Sequence, residues 1–525
     1  MSIPGPARPV CLLALLATCA AASWGATEPG DGLSAFEGPG RIVSGPDGRG
    51  LAEEVSLRAG FLARLAALGP EQTLIVADWP WAPGERLTVA LTRHEIYAPE
   101  ARLFVVDGEE SREVPRSPSR FFWGPTDRGG TDRLLVELDP QSGRLSARSF
   151  REAGAFLLEA NEEAGSPEGP GLVPMQLVPE VGGDLAAGGW SCGESDDPAL
   201  APPTRLPPPV AGAFPLLPEL ISTLHTAVVA VDTDNELMNR KFSDSSPAAT
   251  TYLAQLFAAM NVMYERDILV RMLQGTTFLR PSTTVDPYVQ PCGAAVTDCQ
   301  SNTAADGARL DEFSNYWAAG CGGSGQPSCA GVQRALAMML SGKQQSTNSA
   351  SGIAWLDALC SSGIGYSFSQ VFKFAGATGA SDSKLVGHEM GHNFGSPHTH
   401  NPSGYSPPID TCCTQTTFGN LNCGTNYCTS GGLCCSDGAQ NCNACPSTQT
   451  INGVPNVRGT LMSYCHILGG CGSSEVFHPR TVSEQVGPHV QSKVGVCVFP
   501  FDPFAAGFRD GFETGLVPPW SGKRP

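Results

Sequence analysis

A chain of 525 residues is too long for one ordinary hydrophobic core and points to two or three folded units. Apolar residues make up 41% and aromatic ones 8%, proportions that rule against wholesale disorder. Against 33 basic residues stand 51 acidic ones, and the net charge of -18 argues against a nucleic-acid or anionic-membrane surface and for protein or peptide partners.

Residues 1–26 read as a signal peptide, with Arg8 as the positive flank, an apolar run over 10–22 and small residues where a signal peptidase could cut. Leu16-Ala17-Thr18-Cys19 is a poor lipoprotein box, because such boxes carry a smaller residue than Thr before the cysteine. Secretion is therefore the expectation over lipid anchoring or periplasmic retention. No later run reaches the ~18 apolar residues that a bilayer span needs. Cysteine usage agrees with export. Of 19 cysteines, Cys11 and Cys19 leave with the signal, Cys192 stands alone in the first half, and the other 16 fall between Cys292 and Cys497. An even, dense set in an exported chain suits a disulfide framework.

Residues 27–198 read as a mainly β unit. Strand-like runs at 73–77, 87–91, 103–106 and 134–138 are separated by turn signals such as Asp107-Gly108 and Arg128-Gly129-Gly130, and one helix is expected near 52–68. Its single histidine, His94, beside Arg93, reads as structural or solvated and is assigned no chemistry. The segment 199–218 holds Pro202, Pro203, Pro207, Pro208 and Pro209, favouring an extended linker that serves as domain boundary and cleavage site.

Beyond it, 219–498 reads as an α+β domain, a mixed sheet with packed helices. A valine-rich strand at 226–232 is followed by a helix at 247–264, with Leu253, Leu256, Phe257, Met260 and Met263 at helical spacing. Further strands are expected at 268–273 and 335–340. The last segment, 499–525, carries Asp510-Gly511-Phe512-Glu513-Thr514-Gly515 and reads as a disordered tail.

The chemistry concentrates in His388-Glu389-Met390-Gly391-His392-Asn393-Phe394-Gly395-Ser396-Pro397-His398. On a helix, positions i and i+4 share a face, so His388 and His392 can reach one ion with Glu389 beside them. Gly395 can take positive φ, end the helix and let the chain swing His398 up as a third ligand. Three neutral nitrogens and an open fourth position describe a catalytic zinc, since a structural one is closed by four protein ligands.

This pattern, with Gly459-Thr460-Leu461-Met462-Ser463-Tyr464 downstream, resembles the metzincin zinc endopeptidases. Within that clan, 224–498 is most similar to the reprolysin or adamalysin-like peptidases, especially bacterial ones. Asn261-Val262-Met263-Tyr264 before Asp267-Ile268 looks like their first helix entering the second strand, and Ser351-Gly352-Ile353-Ala354-Trp355 like the edge strand lining the cleft. The resemblance implies a metzincin fold with a zinc cleft, Met462 as the Met-turn floor beneath the metal, and a substrate paired to the edge strand. Two departures stand out. Thr399-His400 follows the third ligand where animal relatives carry Asp, and His400 is an alternative ligand. Tyr464 sits as in astacins and serralysins, where the phenol stabilises the oxyanion; a buried packing role is the competing reading.

Between His398 and Met462, residues 412–445 hold Cys412, Cys413, Cys423, Cys428, Cys434, Cys435, Cys442 and Cys445. Disulfides are favoured there over a second zinc on Cys442-Asn443-Ala444-Cys445, and eight cysteines allow 105 pairings. The Cys192-Gly193 pair resembles the cysteine switch of metzincin proenzymes, which would make 27–198 a prodomain; a free thiol or an intermolecular disulfide is the alternative. No EF-hand-like loop marks a calcium site. The implied reaction is hydrolysis of internal peptide bonds, with Glu389 taking the proton from water and passing it to the leaving amine. The competing class is an exported adhesion module on a zinc scaffold, which the intact Glu389 disfavours.

Overall fold

A strand half-buried in a core hides every second side chain, and the first half of the chain repeats that pattern. The computed structural model describes residues 33–45, 50–107, 110–151, 154–161, 171–180, 191–192, 220–283, 286–288, 298–299, 303–321, 328–345, 351–371, 378–399, 405, 409–410, 449–451, 454–456, 459–463 and 474–502. Ten strands form one sheet in the order Leu33–Ser34, Thr73–Ala82, Glu85–His94, Arg120–Pro125, Arg133–Leu138, Leu145–Phe150, Phe156–Ala160, Leu172–Pro179, Leu51–Arg58 and Phe36–Ser44. The first and last of these are consecutive in the chain, parted only by Ala35, so the sheet closes on itself as a barrel. Phe61 and Leu65 of the helix Ala59–Ala67 join Trp79, Trp81, Val89 and Val136 in its core.

The four strand-like runs of the first half are all strands, but the expected helix over 52–68 is shorter. It holds only Ala59–Ala67, while Leu51–Arg58 is a strand paired on both sides. Val55 and Leu57 are buried and alternate with the more open Glu54 and Ser56, a two-residue period that outweighs helix propensity.

The hairpin Leu103–Asp107 and Glu110–Val114 lies outside the barrel sheet. It belongs to a second sheet, ordered Ser191–Cys192, Ser351–Ala354, Tyr366–Gln370, Leu336–Ser341, His225–Thr233, Val270–Leu279, Leu103–Asp107 and Glu110–Val114. Val498–Pro500 adds antiparallel to the start of the central strand His225–Thr233. Most pairings are parallel; Ser351–Ala354 runs antiparallel to Tyr366–Gln370. The expected strand over 268–273 begins instead at Val270, because Ile268 still closes a helix and Leu269 turns the chain at φ 54°.

Both faces of this sheet are covered, as its apolar strands require. Val229, Val231, Leu336 and Met338 meet the helices Ser246–Ile268 and Gly379–Asn393, whereas Ala230, Ala337 and Met339 meet Leu310, Phe313 and Trp317 of the helix Thr303–Ala318. The long helix starts where Ser245 accepts a hydrogen bond from the Ala248 amide, with Pro247 in its first turn. Midway, the buried Asn261 bonds both ways with the backbone of Met272, at 2.9 and 2.7 Å, fixing helix to strand.

His94 is packed between elements rather than solvated. Its ring stacks on Trp123 at 3.8 Å, Nε2 faces the Trp123 carbonyl at 3.2 Å, and Nδ1 lies 2.6 Å from the Arg271 guanidinium. Two disulfides are formed among the described residues. Cys321 pairs with Cys329, and Cys360 with Cys497, the latter tying the loop beyond the edge strand to the C-terminal strand. The signal segment, the proline-rich linker 199–218, the cysteine-rich insert 412–445 and the tail beyond 502 lie outside the described residues. No helix among the described residues is long and apolar enough to cross a membrane.

Candidate metal centre

The helix Gly379–Asn393 begins at Thr378, whose side chain accepts from the Ser381 amide at 3.2 Å. It carries His388 and His392 on one face, with Glu389 one residue beyond the first. The helix stops at Asn393, and Gly395 at φ 102° re-aims the chain, its amide bonded to the His392 carbonyl at 2.9 Å. A side chain at 395 would meet Asp357 Oδ1 at 2.8 Å as well as a strained backbone.

This turn delivers His398. Its Nε2 lies 3.1 Å from His388 Nε2 and 3.2 Å from His392 Nε2, and all three residues are buried. Two nitrogens each about 2.0–2.1 Å from one tetrahedral ion stand about 3.3 Å apart. The three rings therefore converge as ligands of one metal would, and they form the one group of three or more metal-ligating side chains among the described residues. The opposite ring nitrogens agree. His388 Nδ1 lies 2.8 Å from the Leu461 carbonyl and His392 Nδ1 lies 2.7 Å from the Ser396 carbonyl. Donation from Nδ1 leaves the Nε2 lone pair free for a cation and fixes each ring's orientation.

Glu389 is fully buried against the edge strand Ser351–Ala354. At Gly352 an added Cβ would overlap the Glu389 carboxyl group, so only glycine lets the strand pass this close. Two residues on, across the helix from Glu389, a Cβ at Gly391 would lie 2.5 Å from Met462 Sδ. Met462 thus packs directly beneath the residues that carry the histidines, and its carbonyl accepts from the Thr399 amide at 3.0 Å, just after the third histidine.

Three residues that sequence reasoning assigned no role hold this arrangement. Asn393 donates from Nδ2 to the carbonyls of Trp355 and Tyr366 at 2.8 and 2.9 Å, while its own carbonyl accepts from the amides of Ala358 and Leu359. The histidine helix is thereby tied to the edge-strand loop. Tyr264 donates its hydroxyl to the Gly387 carbonyl at 2.7 Å. Burial pushes the Tyr264 phenol well above its ordinary pKa, and the charge of Glu389 adds to the effect, so it stays a neutral donor. Asp410, fully buried, accepts from the Thr460 hydroxyl at 2.6 Å, and its amide bonds the Thr399 carbonyl at 3.3 Å. Where Thr399 leaves no carboxylate beside the third ligand, Asp410 supplies one to the turn that carries Met462. No spacing rule marks it; only the folded loop brings it there.

At this end of the sheet, Ser191–Cys192 runs parallel to Ser351–Ala354, with Cys192 in register with Gly352. Tyr464, His400 and residues 412–445 lie outside the described residues. The model of the family Reprolysin_5, described as metallo-peptidase family M12, matches residues 223–465. No curated protein matches the chain.

Proposed function

We propose that residues 223–465, which match the Reprolysin_5 model of metallopeptidase family M12, are a reprolysin-like metzincin domain, and that the protein is a secreted zinc endopeptidase made in latent form. The observation that carries the proposal is the convergence of three imidazole Nε2 atoms beside a buried glutamate that abuts an edge strand. His388, His392 and His398 hold the zinc. When bound, zinc supplies a water acidic enough to lose a proton near pH 7 and polarises the scissile carbonyl.

The chain's own residues do the rest. The edge strand Ser351–Ala354 offers backbone groups to an extended substrate, which admits varied sequences and leaves both ends of the cleft open to an internal bond. Glu389 accepts the proton of the attacking water and returns it to the leaving nitrogen. Tyr464, two residues past Met462, is placed by the motif to donate to the oxyanion. Cys192 acts as the latency residue; the pairing of its backbone with Gly352, beside Glu389, supports that reading. Export through residues 1–26 accords with the disulfides at Cys321–Cys329 and Cys360–Cys497.

Digestion of an unfolded protein, with the products mapped, tests the proposal. Cleavage at internal bonds that a chelator stops and added zinc restores is the expected result. Release of terminal residues alone would mark an exopeptidase, and no products from activated, zinc-loaded protein would leave an adhesion module on a zinc scaffold.

The contact at Gly352 yields a separate prediction. Gly352→Ala should displace the Glu389 carboxylate, lowering kcat about 10- to 100-fold while zinc content and KM change little. Unchanged kcat in that variant would mean that the strand does not position the base.

A further inference from the structure

The first half of the chain does not merely sit beside the second. Leu103, Phe104 and Val105 pair in parallel with Thr277, Phe278 and Leu279. Upstream, the Ala98 amide bonds the Gln274 carbonyl at 2.9 Å and the Gln274 amide bonds the Ile96 carbonyl at 2.7 Å. The outer side of Val270–Leu279, which would otherwise be an open sheet edge, is thus paired along residues 274–279.

The apolar core is shared in the same way. Ile96, Leu103, Val105, Phe121, Trp123 and Phe150 belong to the cluster that contains the long helix and the strand Val270–Leu279, not to the barrel core. Buried charges cross the same boundary. Arg271, 1% exposed, bonds Glu71 at 2.7 Å, and Arg148, 6% exposed, forks onto Glu475 at 2.8 and 2.9 Å. Separating the halves would strip each arginine of a carboxylate partner, which is far more costly than breaking an exposed pair. Glu475 also belongs to the segment beneath the metal centre, since the neighbouring Val476 carbonyl accepts from the Leu461 amide at 2.9 Å.

We infer that residues 33–180 are a permanent subunit of the working enzyme, held non-covalently after the proline-rich segment is cut. A contact made of a shared sheet, a shared core and buried ion pairs is that of an obligate complex, a domain core cut in half. Its partner is the chain's own second half. The inference stands whether or not the cleft hydrolyses peptides, so its failure and that of the peptidase reading are distinguishable.

The test uses the full chain carrying Glu389→Gln, to prevent self-cleavage, with a foreign protease site inserted between Pro208 and Pro209. After complete cutting, checked on a denaturing gel, the two pieces should co-elute at the mass of the intact chain. They should still do so after about a hundredfold dilution from micromolar stocks, with zinc content unchanged. Elution as two separate species, the C-terminal one retaining zinc, would overturn the inference. A melting experiment on the uncut chain gives a second readout. Trp79 and Trp81 report the barrel core and Trp317 the far face of the second sheet. One shared unfolding transition is expected, whereas barrel melting that leaves the zinc-bearing half folded would also overturn it.

Discussion

Glu389→Gln should retain zinc and fold while losing hydrolysis by at least about a hundredfold, the lower bound of what a general base contributes. The substitution is nearly isosteric, so the packing against Gly352 and the three histidines is preserved, and none of the ligands is touched. What disappears is the acceptor for the water proton, worth about 3–5 kcal/mol of transition-state stabilisation at a typical hundred- to several-thousandfold effect. Metal content and turnover must be measured on the same preparation. Near-normal turnover in a folded, zinc-loaded variant would remove Glu389 from the mechanism, while loss of metal would show that the carboxylate helps to assemble the site.

Cys192→Ser should activate the uncut chain. A thiolate binds zinc well and a hydroxyl poorly, so a difference of only about 1.4 kcal/mol between them shifts the open fraction tenfold, and activity should rise at least about that much. A thiol-modifying reagent should act on the parent chain in the same direction and leave the variant unaffected. Because the backbone of Ser191–Cys192 pairs with Ser351–Gly352, the strand has a second way to block, by occupying the edge a substrate needs. Deleting residues 181–198 separates the two. If Cys192→Ser is as silent as the parent but the deletion is active, strand pairing alone blocks the cleft and the thiol has no switch role. If neither is active while chain cut in the proline-rich segment is, latency resides elsewhere.

The three converging histidines and the glutamate beside them were legible because they sit within eleven consecutive residues. Helical periodicity brings i and i+4 together, and a glycine turn returns the chain, so local rules suffice. The same holds for the strands at 226–232 and 335–340 and the long helix, whose apolar spacing is a local property. Met462 was read from its motif rather than from its neighbours, and its packing beneath Gly391 became evident only in three dimensions.

The remainder depends on contacts that no sequence spacing encodes. Asn393 and Tyr264 act through backbone carbonyls and amides, which every residue possesses, and Asp410 through a threonine hydroxyl fifty residues away, so nothing in the chain singles out their partners. Register decided that Cys192 lies opposite Gly352, and a pairing of two residues leaves no hydrophobic pattern to read. The run at 103–106 reads only as a strand, and whether it closes its own barrel or extends the sheet of the second half is set by which apolar face is left uncovered. Hydrophobic burial is not directional, so the sequence alone determined that these strands form and where the three histidines stand, whereas only the tertiary structure decided that both halves share one core.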